Sequence, residues 1–425
     1  MRNRFFILPV LLFCNFSIPV STIKNPVSNE ALLKNKLDNR SKNNASSNIV
    51  YEKLSASDDY ALEKDTFSLK DALLKKGIRF GTYLSAADIT QRAPRPSNFM
   101  EVVSKYFNFY TMSVSFATVE PKQDVFDFTI PDKIVEFAIS HNAKVKGHAL
   151  VLGTSLPDWV VNGNYSPDEL QSILKIHVQT IVKHFKDKYP GTVTVWNVVN
   201  EAVPGGQTLK AETSFPDAGI KKNIWTSIHK PNSSDPTDYM QLAFEWAREI
   251  DPTAKLYLNE NGNEYIQDPK IDRLYNVVKH LKDKGTPIDG LGFQCHLRLF
   301  TKNRYSAAAL TNTMNRFADL GLETQVSEFD VQMASGIVPN TSPTVPIPIT
   351  NPSSADLQEQ ATLYKMFLSA CLNSKKCTGF TVWGAWDGGS WVNLHWKGDF
   401  QPHILDSNLN VKPTYKALID AVKSN

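Results

Sequence analysis

Cysteine is sparse in this chain, no glycine-rich phosphate loop is present, and neither sign of charge dominates. Four cysteines among 425 residues, none at zinc-finger spacing, leave no metal cluster to read. Lys and Arg number 46 against 43 Asp and Glu, a formal net charge of +3, without any basic run or stripe. That balance speaks against nucleic acid or an acidic membrane as partner. Beyond Val20 no apolar stretch approaches the length of a membrane helix. No strand is followed by a dinucleotide fingerprint or a nucleophile elbow. No cofactor and no metal are therefore expected, and the chain is expected to act as a monomer.

What is present begins with Arg2 and Arg4, then the apolar run Phe5–Phe13, then Ser17, Pro19, Ser21 and Thr22. A basic start, a short apolar core and small residues near a cut site predict a secretion signal over 1–22 and an extracellular protein. Residues 23–65, with NRSKNNASSN at their centre, hold too few large apolar side chains to offset ordering entropy, and read as a leader or linker. The catalytic-sized remainder, 66–425, suits a single large domain. In a secreted chain the short polar loop between Cys371 and Cys377 predicts a local disulfide. Cys295, inside the apolar GLGFQCH, reads as a buried free thiol. Asn44, Asn232 and Asn340 sit in Asn-x-Ser sequons, which matter only in a glycosylating host.

Apolar, β-branched runs recur at Arg79–Ala86, Phe109–Val114, Lys144–Leu150, Thr192–Asn200, Lys255–Asn259, Gly290–His296, Thr324–Asp330 and Gly379–Gly384. Amphipathic stretches separate them, among them Pro131–His141, Ser166–Lys188, Asp238–Ile250, Ile271–Lys284, Ser306–Leu320 and Asp356–Leu372. Strand and helix taking turns eight times predict an α/β fold, a single (β/α)8 TIM barrel, ahead of a doubly wound open sheet. Polar groups gather at the C-terminal tips of the runs: Asp88, His148, Asn200 with Glu201, Asn259 with Glu260, Gln294 with His296, Glu328 with Asp330, and Trp383. In a barrel those tips share one rim, where active sites lie. Glu201 and Glu328 end separate strands, and Glu328 shares a face with Asp330 by period-2 alternation. Two carboxyls so placed suit glycoside hydrolysis, one protonating the leaving oxygen and the other attacking or activating water. A two-carboxylate metal site stays open on this pattern alone.

The motifs WNVVNEA, GFQCH, VSEFDV, GFTVWG and LDSNLNVKPTY, in that order, resemble those of glycoside hydrolase family 10, the xylanase-type barrels. FGTYL, KGHALV, LPDW and KLYLNE fit as well, so the resemblance runs from Phe80 to Tyr415. It implies a retaining hydrolase with Glu201 as acid/base and Glu328 as nucleophile. It further implies that Asn200 donates to the 2-hydroxyl of the sugar at the scissile bond, and that His296 bonds Glu328 and is held by Asp330. His148 would contact the same sugar, Gln294 would line the rim, and Trp383 and Trp391 would form an aromatic wall. The pair Cys371 and Cys377 is similar to a disulfide seen in many members. The implied partner is a polysaccharide or oligosaccharide.

The departures lie on the glycone side. Where the family usually reads ENEMKW, this chain has Thr111, Met112 and Ser115 at the sugar-binding positions of TMSVSF. Leu152, Gly153 and Ser155 replace an aromatic and two polar groups, Asn261 a tyrosine, and Asn197 the Asp of WDVVNE. Each lost hydrogen bond to a sugar is worth about 1 kcal/mol, so weak holding of unsubstituted xylose is expected. Three readings follow: an endo-β-1,4-xylanase-like hydrolase, the same mechanism on another β-linked or decorated glycan, and a catalytically silent carbohydrate-binding barrel.

Overall fold

The computed structural model describes residues 67–92, 94–205 and 219–425. The expected signal and leader, 1–65, with Cys14 and Asn44, lie outside the described residues. Eight strands run in chain order around a barrel: β1 (Arg79–Tyr83), β2 (Phe109–Ser113), β3 (Lys144–Leu152), β4 (Val193–Asn200), β5 (Lys255–Glu260), β6 (Gly290–Phe293), β7 (Glu323–Gln332) and β8 (Cys377–Val382). Every neighbouring pair is parallel. β8 closes the ring, pairing with β7 through Phe380–Val326 and with β1 through Phe80–Phe380. The expected (β/α)8 barrel is the observed fold.

The helices that follow the strands are α1 (Phe99–Tyr106), α2 (Thr129–Ser140), α3 (Pro167–Lys188), α4 (Asp238–Ile250), α5 (Pro269–Asp283), α6 (Ala307–Ala318), α7 (Ser354–Asn373) and α8 (Pro413–Lys423). Sequence alone explains α3 well. Ser166 and Glu169 form a capping box, Pro167 opens the first turn, and Lys186 and Lys188 sit at the C-terminal end, each favourable to the exposed ends of the helix. Leu170, Leu174, Val178, Ile181 and Phe185 form its buried stripe. Inside the ring, Phe109, Val195 and Tyr257 cluster near the strand starts. Gly147 is required where it stands, since a Cβ there would lie 2.2 Å from the Trp196 ring of the adjoining strand.

Some boundaries differ from expectation. β1 stops at Tyr83 because Ser85 and Asp88 form a capping box around the turn Ala86–Ile89. Asp88 therefore caps that turn and pairs with Arg95 at 2.5 Å; it is not a strand-tip group. The sixth run breaks after Phe293 and resumes as His296–Arg298 beside Asp330–Gln332. The loop after β7 carries an unforeseen hairpin, Ala334–Ile337 with Pro346–Pro348. Cys371, near the end of α7, and Cys377, at the start of β8, are disulfide-bonded, and Cys295 is free and buried.

Candidate active site

The strand tips converge as the sequence predicts, and a chain of hydrogen bonds links the two carboxyls. Asn259 Nδ2 donates to Glu328 Oε1 at 2.7 Å and to Asn200 Oδ1 at 2.8 Å. Gln294 Nε2 donates to Asn200 Oδ1 at 3.2 Å and to Glu201 Oε1 at 3.1 Å. Asn200 and Asn259 are paired in register on adjoining strands, and Ser327 Oγ fixes Asn259 by donating to its Oδ1 at 2.6 Å.

The dipeptide Asn-Glu closes β5 and straddles the end of β4, yet the two glutamates go different ways. Glu260 keeps the strand alternation and meets Lys270 of α5 at 2.8 Å, also accepting from Val203 N. Glu201 has φ 56°, in the left-handed region that costs a non-glycine residue about 1 kcal/mol. That turn takes Glu201 out of alternation, so that it meets the same Gln294 amide as its neighbour Asn200.

The two carboxyls occupy opposed electrostatic environments. Burial, assisted by the nearby Glu260 and Glu328 charges, pushes Glu201 up to about 7. Glu328 is wholly buried, which alone would raise it. His148, protonated in the acid range where Glu328 titrates, together with His296 and Lys146 outweighs that burial and holds it below the ordinary carboxylate value. His296 Nε2 stands 3.1 Å from Glu328 Oε2, and its Nδ1 2.9 Å from Asp330 Oδ2. Burial disfavours the His296 cation, but Asp330 and Glu328 keep it protonated well above the usual histidine value. His148 behaves oppositely. Burial lowers it to about 4, and its Nδ1 accepts from Asn197 Nδ2 at 2.8 Å, leaving a neutral ring 3.6 Å from Glu328 Oε1.

Trp383 packs edge-on against His148 and His296, with ring centroids 5.1 and 6.3 Å away, and stacks on Tyr83 at 4.6 Å. Trp391 lies edge-on to His296 at 5.1 Å, and its indole N–H donates to Asp330 Oδ2 at 2.9 Å. It thus orients the Asp330–His296 pair as well as walling the site. The Asn200 amide Nδ2 is buried with no partner among the described residues, a donor left over for a ligand hydroxyl. Among the described residues no group of three or more metal-ligating side chains occurs.

Thr111, Met112, Ser115 and Leu152 are all buried, and Ser115 bonds Thr118 at 3.0 Å. Asn261 accepts from Lys270. Three neighbours of the carboxyls were given no role from the sequence. Asn259 was legible only as a strand tip, although its repeat of the Asn200-Glu201 pattern on the next strand was a signal. Tyr83, in register with Thr111, and Lys146, a lone lysine in an apolar strand, carried weaker ones.

A closed parallel barrel whose rim brings together two glutamates in opposed electrostatic environments suits a glycoside hydrolase. The comparisons place it within that class: the sequence model of Glycosyl hydrolase family 10 matches residues 68–421, and the chain belongs to this family. It is 33% identical over 327 residues to endo-1,4-beta-xylanase B of Thermotoga neapolitana, covering 76% of this chain and 83% of that one. An exoglucanase of Acetivibrio thermocellus, XynX, is 30% identical over 335 residues, 76% of this chain and 27% of that one. Among solved structures, xylanase 10B from Thermotoga petrophila with xylobiose superposes with TM-score 0.71 at 30% identity, covering 84% of this chain and 98% of that one. The enzyme is xylanase-like in this sense.

Proposed function

We propose that the protein is a secreted, retaining endo-1,4-β-xylanase that works by double displacement. Glu201 gives its proton to the glycosidic oxygen as the Glu328 carboxylate attacks the anomeric carbon; the C–O bond breaks and a glycosyl-enzyme ester forms. With Glu328 esterified, its negative charge is gone and Glu201, now ionised, takes a proton from the water that releases the sugar. Asn200 Nδ2 donates to the 2-hydroxyl, His296 holds Glu328 ionised, and His148, through its free Nε2–H, is a donor to the same sugar.

The single observation that carries this reading is the split between the carboxyls: burial holds Glu201 protonated to about 7, while Glu328 is held low. Reducing-sugar release from xylan, mixed-linkage glucan and mannan, with a Glu328→Ala control, tests it. Xylan should be cleaved by the wild type, and the variant should be inactive. Azide should restore turnover of an activated aryl glycoside by Glu328→Ala and give a product of inverted configuration. Full activity in Glu328→Ala would sink the assignment.

A second reading, the same chemistry on a different or decorated β-linked glycan, is favoured by the buried Thr111, Met112, Ser115 and Leu152. The likeness to a protein named an exoglucanase also favours it. Secretion rests on the N-terminal pattern of 1–22 and accords with the Cys371–Cys377 disulfide. Sequencing the N-terminus of protein recovered outside the cell tests it.

A further inference from the structure

β3 sends an unusual side chain into the barrel. Lys146 is 0% exposed, two residues before His148 on the same face of the strand. Its ammonium crosses to β7 and donates to the carbonyl oxygen of Ser327 at 3.2 Å, the peptide immediately before Glu328. That carbonyl is its one hydrogen-bond acceptor among the described residues, and no carboxylate lies within ion-pair distance of it there. A buried ammonium with no carboxylate bonded to it is costly. Lysine entropy and desolvation would both be better served by Met or Leu if packing were all that the position needed.

The groups facing Glu328 decide what the charge is for. They are Tyr83 from β1, Lys146 and His148 from β3, Glu201 from β4, Cys295 and His296 beyond β6, and Asp330 on β7. Tyr83 and Cys295 are pushed up by burial and stay neutral. His148 accepts from Asn197, is neutral at working pH and gains a proton only near pH 4. His296 is cationic and pairs with Glu328 at 3.1 Å, but its charge is shared with Asp330 at 2.9 Å. Lys146 is the remaining cation, and it is not committed to another carboxylate.

We propose that Lys146 is a positioning residue for the displacement: its buried ammonium anchors the peptide that carries Glu328 and adds a second, unbonded positive charge beside the carboxylate that His296 already pairs. Asn259 completes the arrangement, bonding both Ser327 and Glu328. The role has a dynamic side. When Glu328 becomes an ester the ammonium loses the negative charge beside it, which favours breakdown of the intermediate and return of the anion.

This inference rests on the reading of Glu328 as nucleophile, and the experiment separates the two. An aryl 2-deoxy-2-fluoro-β-xylobioside, followed by peptide mass spectrometry, should label Glu328 in the wild type. Absence of that label overturns the nucleophile and the proposal together. With the label in place, kcat/KM for an aryl β-xylobioside is measured against pH in Lys146→Met and Lys146→Arg. The acid limb should rise by roughly one pH unit in Lys146→Met and stay within about 0.3 unit of the wild type in Lys146→Arg. An unmoved limb in a folded Lys146→Met overturns the proposal. Thermal unfolding covers the case of poor folding: Lys146→Met/Glu328→Gln should melt higher than Glu328→Gln alone, because the double change leaves no unpaired charge. A lower melting point for the double variant overturns the proposal as well.

Discussion

At the scale of residues, the site depends on two glutamates whose environments differ. In the proposed mechanism the base-side limb of the pH profile belongs to Glu201, near pH 7, and the acid-side limb to Glu328, below its ordinary 4.5. On a substrate with a poor leaving group, kcat/KM should therefore form a bell whose upper limb falls near pH 7. Glu201→Ala should lose that limb while still forming the intermediate from an aryl glycoside with a good leaving group. Equal loss on both substrate types would contradict the division of roles. The same burial has a price in stability. The folded Glu201 binds its proton more tightly than the unfolded one, so its contribution is fully present below about pH 4.5 and is lost as pH rises through about 7. Glu201→Gln escapes this loss. Its gain over wild type in urea unfolding should grow between pH 4.5 and 7.5, by on the order of 2–3 kcal/mol. A difference flat across that range would show that Glu201 is not held protonated by the fold.

At the scale of elements, strands were the most legible feature because a strand buried on both faces must be a nearly continuous apolar run. Polar residues interrupting such a run stand out at once, as His148, Asn200 and Glu328 do. Asp88 misled for the same reason: a carboxyl soon after a strand looks like a tip, whereas Ser85 three residues earlier had already made it a helix cap. What alternation hides is the backbone turn at Glu201, since a left-handed φ depends on the neighbouring strands, not on the side chain. The break between Phe293 and His296 is of the same kind, with Cys295 at φ 62°. The link between α7 and β8 was readable from cysteine spacing. Cys371 and Cys377 close a loop of sequence separation 6, worth about 2 kcal/mol in chain entropy. Replacing both with Ala should lower Tm by roughly 2–3 °C in a scanning calorimeter and leave kcat unchanged. An unchanged Tm would mean that the loop is already ordered in the unfolded chain.

At the scale of the whole molecule, the fold was legible because eight alternations leave few topologies, and family motifs named the rim. The glycone side was legible only as a set of missing groups. Its packing was not, because burial of Thr111, Met112, Ser115 and Leu152 depends on contacts between strands far apart in the chain. Tyr83, in register with Thr111, stacks on Trp383 and fills the space between them. Linear xylo-oligosaccharides are therefore expected to show a raised KM more than a lowered kcat, since contacts uniform to ground and transition states act on binding. Ser115→Lys should lower that KM. Leu152→Trp is the harder reversal, because Leu152 is buried and its carbonyl already accepts from Trp225 Nε1 at 3.1 Å. Robust turnover of short linear xylo-oligosaccharides by the wild type would show that other residues supply the contacts.

The seam between β8 and β1 also has a meaning in time. Arg79 lies opposite Gly379, so the ribosome delivers one edge of the seam long before the other. At ~5–20 residues per second the delay is roughly tens of seconds, through which β1 offers an unpaired edge. Both glutamates have emerged before β8 has, yet the wall bearing Trp383 and Trp391 has not. A nascent chain thus carries both glutamates before it has the closed ring whose burial and charges set them apart, and a prematurely terminated one never acquires it.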